Sequence, residues 1–392
     1  MIRLQVTNLA PLHLSDGYVA GPMATTLPYI PGQALQGALA KHWQESYGPN
    51  DDTFARLFLS PNNWYGPLLP APTGQEGKRE TFILPQTAFT CKRYPGFLNL
   101  KALTRDRHGV QDRLFALLGA NAGLNEEQCT QCHSALQPVN NRLYTIHGRQ
   151  HLSVEPDKRL ITRTALDSQR ETAARRQLFT QEVIGEGHYF TGFIQLTNTA
   201  DEDLLVQHTL QEGFRFWVGG AKTRGQGEVE VKLVSQDIPS ELHAGKQSLT
   251  ERITAFDAQA RNAGIICQHK TFFTLDLLTD TIIRDAYLRF DRTITPVYLG
   301  QYLHPDLQQA ELLINFCQTR LVDGWHMTQR LPRETSLVIT AGSVFAYGID
   351  LSPAELAQRL EPLERWGIGS HQPEGFGRIT INHPFHLNQE AV

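Results

Sequence analysis

The string CTQCH, residues 129–133 of a 392-residue chain, holds two thiols two residues apart and then an imidazole. Residues of these types at this spacing can attach a c-type haem, cycle between dithiol and disulfide, or supply half of a zinc site. The chain opens MIRLQVTNLAPLHL, which alternates apolar and polar residues and lacks the apolar core of a secretory signal. Haem attachment of this kind normally needs export, so that reading is weak. A redox CxxC belongs on a strand-to-helix turn of a βαβ unit. Here LNEEQ precedes and SALQPVNNR follows, which is loop chemistry. Zinc is the strongest reading. Cys91, in TAFTCKRYPGF, is the nearest other cysteine, and His108 is the sole histidine between Cys91 and the CxxC. With Cys129 and Cys132 they make three thiolates and one imidazole, a combination that tetrahedral zinc accepts. His133 competes for the fourth place, although neighbours such as Cys132 and His133 project differently, and His147 and His151 stay open. Cys267 and Cys317, in AGIICQ and LINFCQ, read as core thiols.

Positioning such a cluster falls to a chain of mixed α and β pattern. Hydrophobic residues make up 41%, enough for a packed core. The net charge of −4 argues against a generally basic surface and leaves room for a local basic groove. No run approaches the roughly 18 apolar residues of a membrane span, so a soluble cytoplasmic protein is expected. Residues 2–14 read as a strand. YIPGQALQGALAKHW turns at Pro31 and Gly32 into a helix with Ala34, Leu35, Ala38, Leu39 and Trp43 on one face. Residues 60–180 are rich in Pro, Gly and Asn with few clean periodicities. They read as a long insertion that buries little core of its own and needs a staple. Strand, helix and strand follow in HYFTGFIQLTN, DEDLLVQHTLQEG and GEVEVKLVS. Residues 239–268 read as a linker, and KTFFTLDLLTDTII as a fresh first strand. SPAELAQRLEPLERW is a helix with Ser352 as N-cap, Pro353 at its first position and Glu355 closing a capping box. The expected organisation is two α+β domains of related topology, 1–238 and 269–392, with the insertion in the first.

Each half runs from a helix into a glycine-rich loop and an alternating strand: VGGAKTRGQGEVEV at 218–231 and GIGSHQPEGFGRITI at 367–381. Gly219, Gly220, Gly225 and Gly227 are expected to leave main-chain N–H groups uncovered, with Lys222 and Arg224 between them, a means of holding phosphates. Gly367, Gly369, Gly375 and Gly377 repeat the pattern, with Arg378 at the end and Phe376 able to pack beneath the loop or stack on a base. A dinucleotide site would place its glycines between a strand and the following helix, the reverse of the order here. Between residues 142 and 176, eight Lys or Arg (Arg142, Arg149, Lys158, Arg159, Arg163, Arg170, Arg175 and Arg176) face only four acids. A basic stretch in an acidic chain suits a phosphate-tracking surface.

These residues also match a known family. YIPGQALQGALA resembles the IPG-type helix motif of the RAMP superfamily of CRISPR systems, and the two glycine-rich stretches are similar to its loops. RTALDSQRETAARRQLFTQEVIGEGHYFTGFI, 163–194, and GWHMTQRLPRETSLVITAGSVFAYG, 324–348, resemble the Csx-type subunit of type III-D effector complexes. The resemblance implies two ferredoxin-like (RRM-like) domains. It implies a non-catalytic subunit that holds the 5′ repeat-derived handle of the guide crRNA beside a large polymerase-like subunit and backbone RAMP subunits. A similar Cys–His–CxxC order in relatives supports structural zinc. The chain departs from the family at Arg163, where many relatives carry histidine, and at Ala173 and Ala174. Two other functions are open. Some RAMP proteins cut repeat RNA with a histidine as general acid or base, and His42 on the first helix is the candidate. The chain could also be a protein-only scaffold whose contact arm, GWHMTQRLPRET, offers Trp325, Met327 and Arg330; the same arm could insert beside a nucleotide, and target RNA is a further possible partner.

Overall fold

The computed structural model describes residues 1–15, 23–48, 52–72, 80–99, 106–119, 128–140, 142–167, 172–211, 213–235, 247–265, 268–326, 331–388 and 390–392, with the backbone alone at 164–167, 172–178, 233–235 and 325–326. Strand Ile2–Asn8 lies inside the first sheet, paired antiparallel with Tyr189–Gln195 on one side and Glu228–Ser235 on the other. Trp64–Tyr65 and Leu69–Pro70 border Tyr189–Gln195, and Arg215–Trp217 borders Glu228–Ser235. Alternation along the first strand sends Ile2, Leu4 and Val6 to one face. There they meet Leu35, Leu39 and Trp43 of helix Gly32–Tyr47 and Leu205 of helix Thr199–Thr209. The strand expected over 2–14 stops at Asn8, whose side chain bonds the Ala10 and Gly185 carbonyls and turns the chain.

The second sheet runs Glu311–Phe316, Val344–Ile349, Thr271–Leu277, Ile379–Ile381, again antiparallel. Counting the main strands of each half along the chain and setting edge strand Arg215–Trp217 aside, both sheets have the order fourth, first, third, second. Helix Pro353–Trp366 carries the expected capping box of Ser352 and Glu355 and buries Leu356, Leu360 and Leu363. Residues 239–268 are more than a tether. Helix Leu249–Asn262, with its own capping box of Ser248 and Glu251, buries Ile253, Phe256 and Ala260 against the second half. Arg252 forks onto Glu364 at 3.0 and 2.5 Å. Its polar composition suggested a connector, but the apolar stripe at helical spacing decides its place.

The insertion follows Leu69–Pro70 and is organised into small sheets of its own. One small sheet joins Phe82–Ile83, Leu143–His147 and Gln150–Ser153; another joins Ala88–Cys91, Val110–Asp112 and Leu136–Pro138. A long hairpin, Lys158–Asp167 with Thr172–Ile184, returns the chain to the first sheet. The insertion is fastened to the second half. Gln86 Nε2 donates to Thr340 Oγ1 (2.9 Å) and Ser343 Oγ (3.0 Å), and Phe385 enters a cluster with Leu84, Ala88, Phe97, Val110 and Tyr144. His386, fully enclosed, bonds Asp112 of the insertion through Nδ1 and Asp276 of the second sheet through Nε2 (2.7 Å). No described helix is long and apolar enough to cross a membrane.

One turn carries strain. Strands Ile283–Arg284 and Phe290–Asp291 are joined by a loop that Asp285 organises, accepting bonds from Tyr287 N and Arg289 N at 2.8 and 3.0 Å. Leu288 follows at φ 64°, a left-handed position that three-residue hairpin loops reserve for glycine, and its side chain is 71% exposed. Leu288→Gly should therefore stabilise the isolated chain, by roughly 0.5–1 kcal/mol after glycine's larger entropy loss is deducted. The midpoint of urea unfolding measures it, and a lower midpoint would mean that Leu288 makes a contact outweighing its strain.

Candidate functional site

The four residues of the expected metal set converge. Cys91 ends strand Ala88–Cys91, His108 leads into Val110–Asp112, and Cys129 and Cys132 occupy the turn before Leu136–Pro138, so the pairing of these three strands gathers them. Their donor atoms all lie within 4.8 Å of one another. Cys91 Sγ is 3.5 Å from Cys132 Sγ, and His108 Nδ1 is 3.2 Å from Cys129 Sγ. Cys91 and Cys129 are buried, and the Tyr94 N–H points at Cys91 Sγ (3.4 Å). His133 stands outside the cluster. It is exposed, and its φ of 54° closes the CTQCH turn through a bond from its N–H to the Cys129 carbonyl. His147 is exposed and His151 stacks on Phe97 and Tyr144. The group can hold a metal ion. Cys317 is half-buried, donating to the Arg292 carbonyl, and Cys267 lies outside the described residues.

The two glycine-rich loops are the same turn built twice. Lys222–Arg224 and Gln372–Glu374 are each one 3-10 turn. Left-handed residues flank both: Ala221 and Gly225 in the first, His371 and Gly375 in the second. Val218 N donates to Gly227 O at 2.8 Å and Ile368 N to Gly377 O at 2.9 Å. In this register Arg224 corresponds to Glu374 and Gln226 to Phe376. A Cβ on Gly227 or Gly377 would stand 2.2 or 2.0 Å from the Val218 or Ile368 carbonyl oxygen, so loop closure itself demands glycine. The expectation of uncovered glycine amides is corrected by this geometry. Gly220, Gly225 and Gly227 donate to the His13, Lys222 and Pro11 carbonyls; Gly367, Gly375 and Gly377 donate to those of Leu363, Gln372 and Asp280. Gly219 and Gly369 are crowded by the His13 and Ile282 carbonyl oxygens, at 2.3 and 2.4 Å from a Cβ built there. A helix runs straight into the second loop, whereas strand Arg215–Trp217 intervenes before the first.

The two copies differ in what surrounds them. The second is part of the joint between the halves. A Cβ on Gly32 would lie 2.7 Å from Glu374 O and 3.0 Å from Gly375 Cα, so the start of the first helix touches this loop backbone to backbone. Glu374 pairs with Arg333 at 2.5 Å. Arg378, expected on phosphate, turns inward: it donates to the Arg365 carbonyl (2.8 Å) and Gln195 Oε1 (3.4 Å) and lies over the Trp64 ring. Burial pushes its pKa down. Phe376 is half-buried in a cleft of about 360 Å³ between the halves, with Tyr29, Pro31 and Gln33.

The first copy faces outward. Gly220, Arg224 and Gly225 are exposed, and Arg224 has no partner among the described residues. Lys222 gives one hydrogen bond to the Trp217 carbonyl (2.9 Å), and burial, then Lys41 nearby, lower its pKa. Trp217 is itself half exposed, a neighbour that sequence reasoning missed, although the string RFWVGG placed it one residue before the loop.

The basic stretch divides in the same way. Arg142 reaches into the second half, donating to Gln318 Oε1 (2.9 Å) and the Ala341 carbonyl, and burial lowers its pKa against the pull of Asp280. Lys158 pairs with Glu182 and Arg159 with Glu186. Arg149 is exposed. Arg163 lies opposite Phe179 in the hairpin, with no partner among the described residues. Arg175 and Arg176 are on strand Thr172–Ile184, and Trp325 is on Trp325–His326, described in their backbone only. Arg170, Met327 and Arg330 lie outside the described residues. His42 packs its ring 4.5 Å from Phe214, with Ser46 Oγ 3.5 Å from Nε2; no carboxylate or second base bonds it among the described residues.

The profile of the RAMP superfamily matches residues 6–230. No curated protein matches the chain. Among solved structures it is similar to a chain of the type III-B Cmr-beta complex bound to cognate target RNA and AMPPnP. The two are 10% identical over 88% of this chain and 86% of that one, with a TM-score of 0.44. Oligomeric Cmr4 from Pyrococcus furiosus is 14% identical over 59% of this chain and 98% of its own, with a TM-score of 0.27. A chain of a type IV-B CRISPR complex is 12% identical over 61% and 92%, with a TM-score of 0.30. Such identities leave function to the site itself.

Proposed function

We propose, starting from the fact that this chain belongs to the RAMP superfamily, that it is a non-catalytic RNA-binding subunit of a type III-D CRISPR effector complex. It holds the 5′ repeat-derived handle of the guide crRNA in the cytoplasm and contacts the large polymerase-like subunit and the backbone RAMP subunits. Its two halves, 1–238 and 269–392, are ferredoxin-like domains, and zinc on Cys91, His108, Cys129 and Cys132 staples the insertion of the first. The donor set and its convergence within 4.8 Å fit that ion.

The observation that carries the reading is the asymmetry of the duplicated turn. Of two copies with one backbone, the copy bearing Lys222 and Arg224 is the one left outward. Cations on an exposed, rigid turn bind phosphate without reading sequence, which is what a handle shared by every guide requires. The subtype rests on the resemblance of residues 163–194 and 324–348 to the Csx-type subunit.

Lys222→Ala with Arg224→Ala is the test. Guide-RNA affinity should fall about tenfold or more, and the slope of log K against log salt should flatten by roughly 0.7 for each phosphate no longer neutralised. An unchanged slope removes this loop from the interface. If repeat RNA is cut by the wild type and spared by His42→Ala, the chain is an endoribonuclease. If no guide RNA crosslinks to it in the assembled complex, it is a scaffold.

A further inference from the structure

We infer that Trp217 is a stacking platform for one base of a single-stranded RNA whose phosphates lie on Lys222 and Arg224. The inference rests on the RNA-binding reading above and adds to it a contact with a base.

Strand alternation fixes where the ring goes. Phe216 is buried in the first core, and so is Val218, so Trp217 between them faces the other way. Strand Arg215–Trp217 borders the sheet, with no described strand beyond it. The indole is left 48% exposed. No described ring or guanidinium stacks on it. Trp43 packs against Tyr47 and Phe58, Trp64 lies under Arg378, and Trp366 lies under Arg365. Among tryptophans with a described side chain, Trp217 alone has no ring or guanidinium against it.

Its backbone is nevertheless fixed. It pairs across the strand with Glu228, and its carbonyl accepts the Lys222 ammonium at 2.9 Å. The Lys222 ammonium is therefore held beside the Trp217 backbone. The charges around it leave an excess of one sign. Arg215 faces two carboxylates, Glu230 (3.0 Å) and Glu228 (3.7 Å), and Lys41 pairs with Glu45 (3.4 Å), so with Lys222 and Arg224 four cations stand against three carboxylates. Lys222 makes no salt bridge, although Glu45 lies near enough to pull on it, and Arg224 has no carboxylate among the described residues. A flat π-face beside two cations that form no salt bridge is the arrangement that binds single strands irrespective of sequence, since every base has a π-face. An exposed tryptophan can also anchor a protein contact, but such anchors are ringed by apolar residues that exclude water. The exposed neighbours here are Arg215, Gly220, Thr223 and Arg224.

The test uses the full chain with a labelled single-stranded RNA, and the same RNA with one abasic nucleotide moved along it. Trp217→Ala should weaken binding roughly 5- to 150-fold and leave the salt slope unchanged, whereas Trp217→Phe should keep most of the affinity. At one abasic position Trp217→Ala should cost nothing further. If Trp217→Ala binds as tightly as the wild type while Lys222→Ala with Arg224→Ala binds more weakly, the platform is overturned and the phosphate reading stands. If neither change matters, both fall. If Trp217→Ala weakens subunit association in the assembled complex and leaves RNA affinity intact, the surface belongs to a protein partner and the inference is overturned.

Discussion

Serine in place of Cys129 and Cys132 should cost the chain a stoichiometric zinc ion and the pairing of strands Ala88–Cys91, Val110–Asp112 and Leu136–Pro138. The donors come from the end of one strand and from the segments that lead into its two partners, and these strands share few buried apolar residues, Ala88 and Val110 among them. So small a core of their own leaves the ligand-bearing turns dependent on the metal. An apparent zinc-binding free energy of about 10–16 kcal/mol at neutral pH, typical of structural sites, would dominate that local balance. Elemental analysis should find one zinc per wild-type chain and none in the double variant, and limited proteolysis should then cut between Cys91 and Cys132. His133→Ala, at an exposed turn position outside the cluster, should keep the metal. A wild-type chain prepared with zinc present that holds no stoichiometric metal would sink the proposal.

His386→Ala is expected to be the most damaging single change in the second half. Its imidazole is enclosed between Asp112 and Asp276. Burial alone would lower its pKa, but Asp276 and Asp112 override this and push it up to about 10. Burial alone would raise the two carboxyls, and His386 more than reverses it, so both titrate below the usual carboxylate range. Removing the cation leaves two buried carboxylates without it, a loss of about 3–5 kcal/mol. Asp276 keeps Thr274 Oγ1 and the His383 N–H, and Asp112 keeps the Leu114 N–H, so the charge is uncompensated while some hydrogen bonds persist.

The sign with pH follows from these shifts. The contribution of His386 is complete below the ordinary histidine pKa of about 6.5 and is lost as pH rises toward 10. That of the carboxylates is complete above about 3.9 and is lost as pH falls through their depressed values. Denaturant unfolding of the wild type should weaken from neutral to alkaline pH, and His386→Ala should lack that part of the profile. Equal pH dependence in the two proteins would mean that the triad is not an ion cluster. Adding Asp112→Asn and Asp276→Asn to His386→Ala should recover part of the loss, which separates charge burial from simple loss of packing.

The metal set was legible because zinc chemistry is written in residue type and local spacing, and Cys91, His108, Cys129 and Cys132 needed only three paired strands to meet. The capping box at Ser352 and Glu355 was legible for the same reason: its geometry spans one helical turn. The glycine loops were legible as places and not as roles. Whether a glycine amide is free depends on carbonyls such as His13 and Asp280, far away in sequence. Whether Arg378 meets solvent depends on Trp64, in the other half. The buried triad left no trace at all, since His386 and Asp112 are 274 residues apart and neither stands in a recognisable pattern. Helix Leu249–Asn262 looked like a connector because its charged and polar residues together outnumber its apolar ones. Three apolar positions proved sufficient to place it.

The duplicated turn also sets how each copy can drift over generations. Glu374 must suit Arg333 and His371 in its own half, and Gly375 must suit Gly32 and the Tyr65 carbonyl of the other half. A change there has to satisfy several neighbours at once. Arg224 answers to none in its own described chain. The inward copy is therefore held by its neighbours, and the outward copy is free to follow whatever it touches. One backbone thus serves as a joint in the second half and as an open surface in the first.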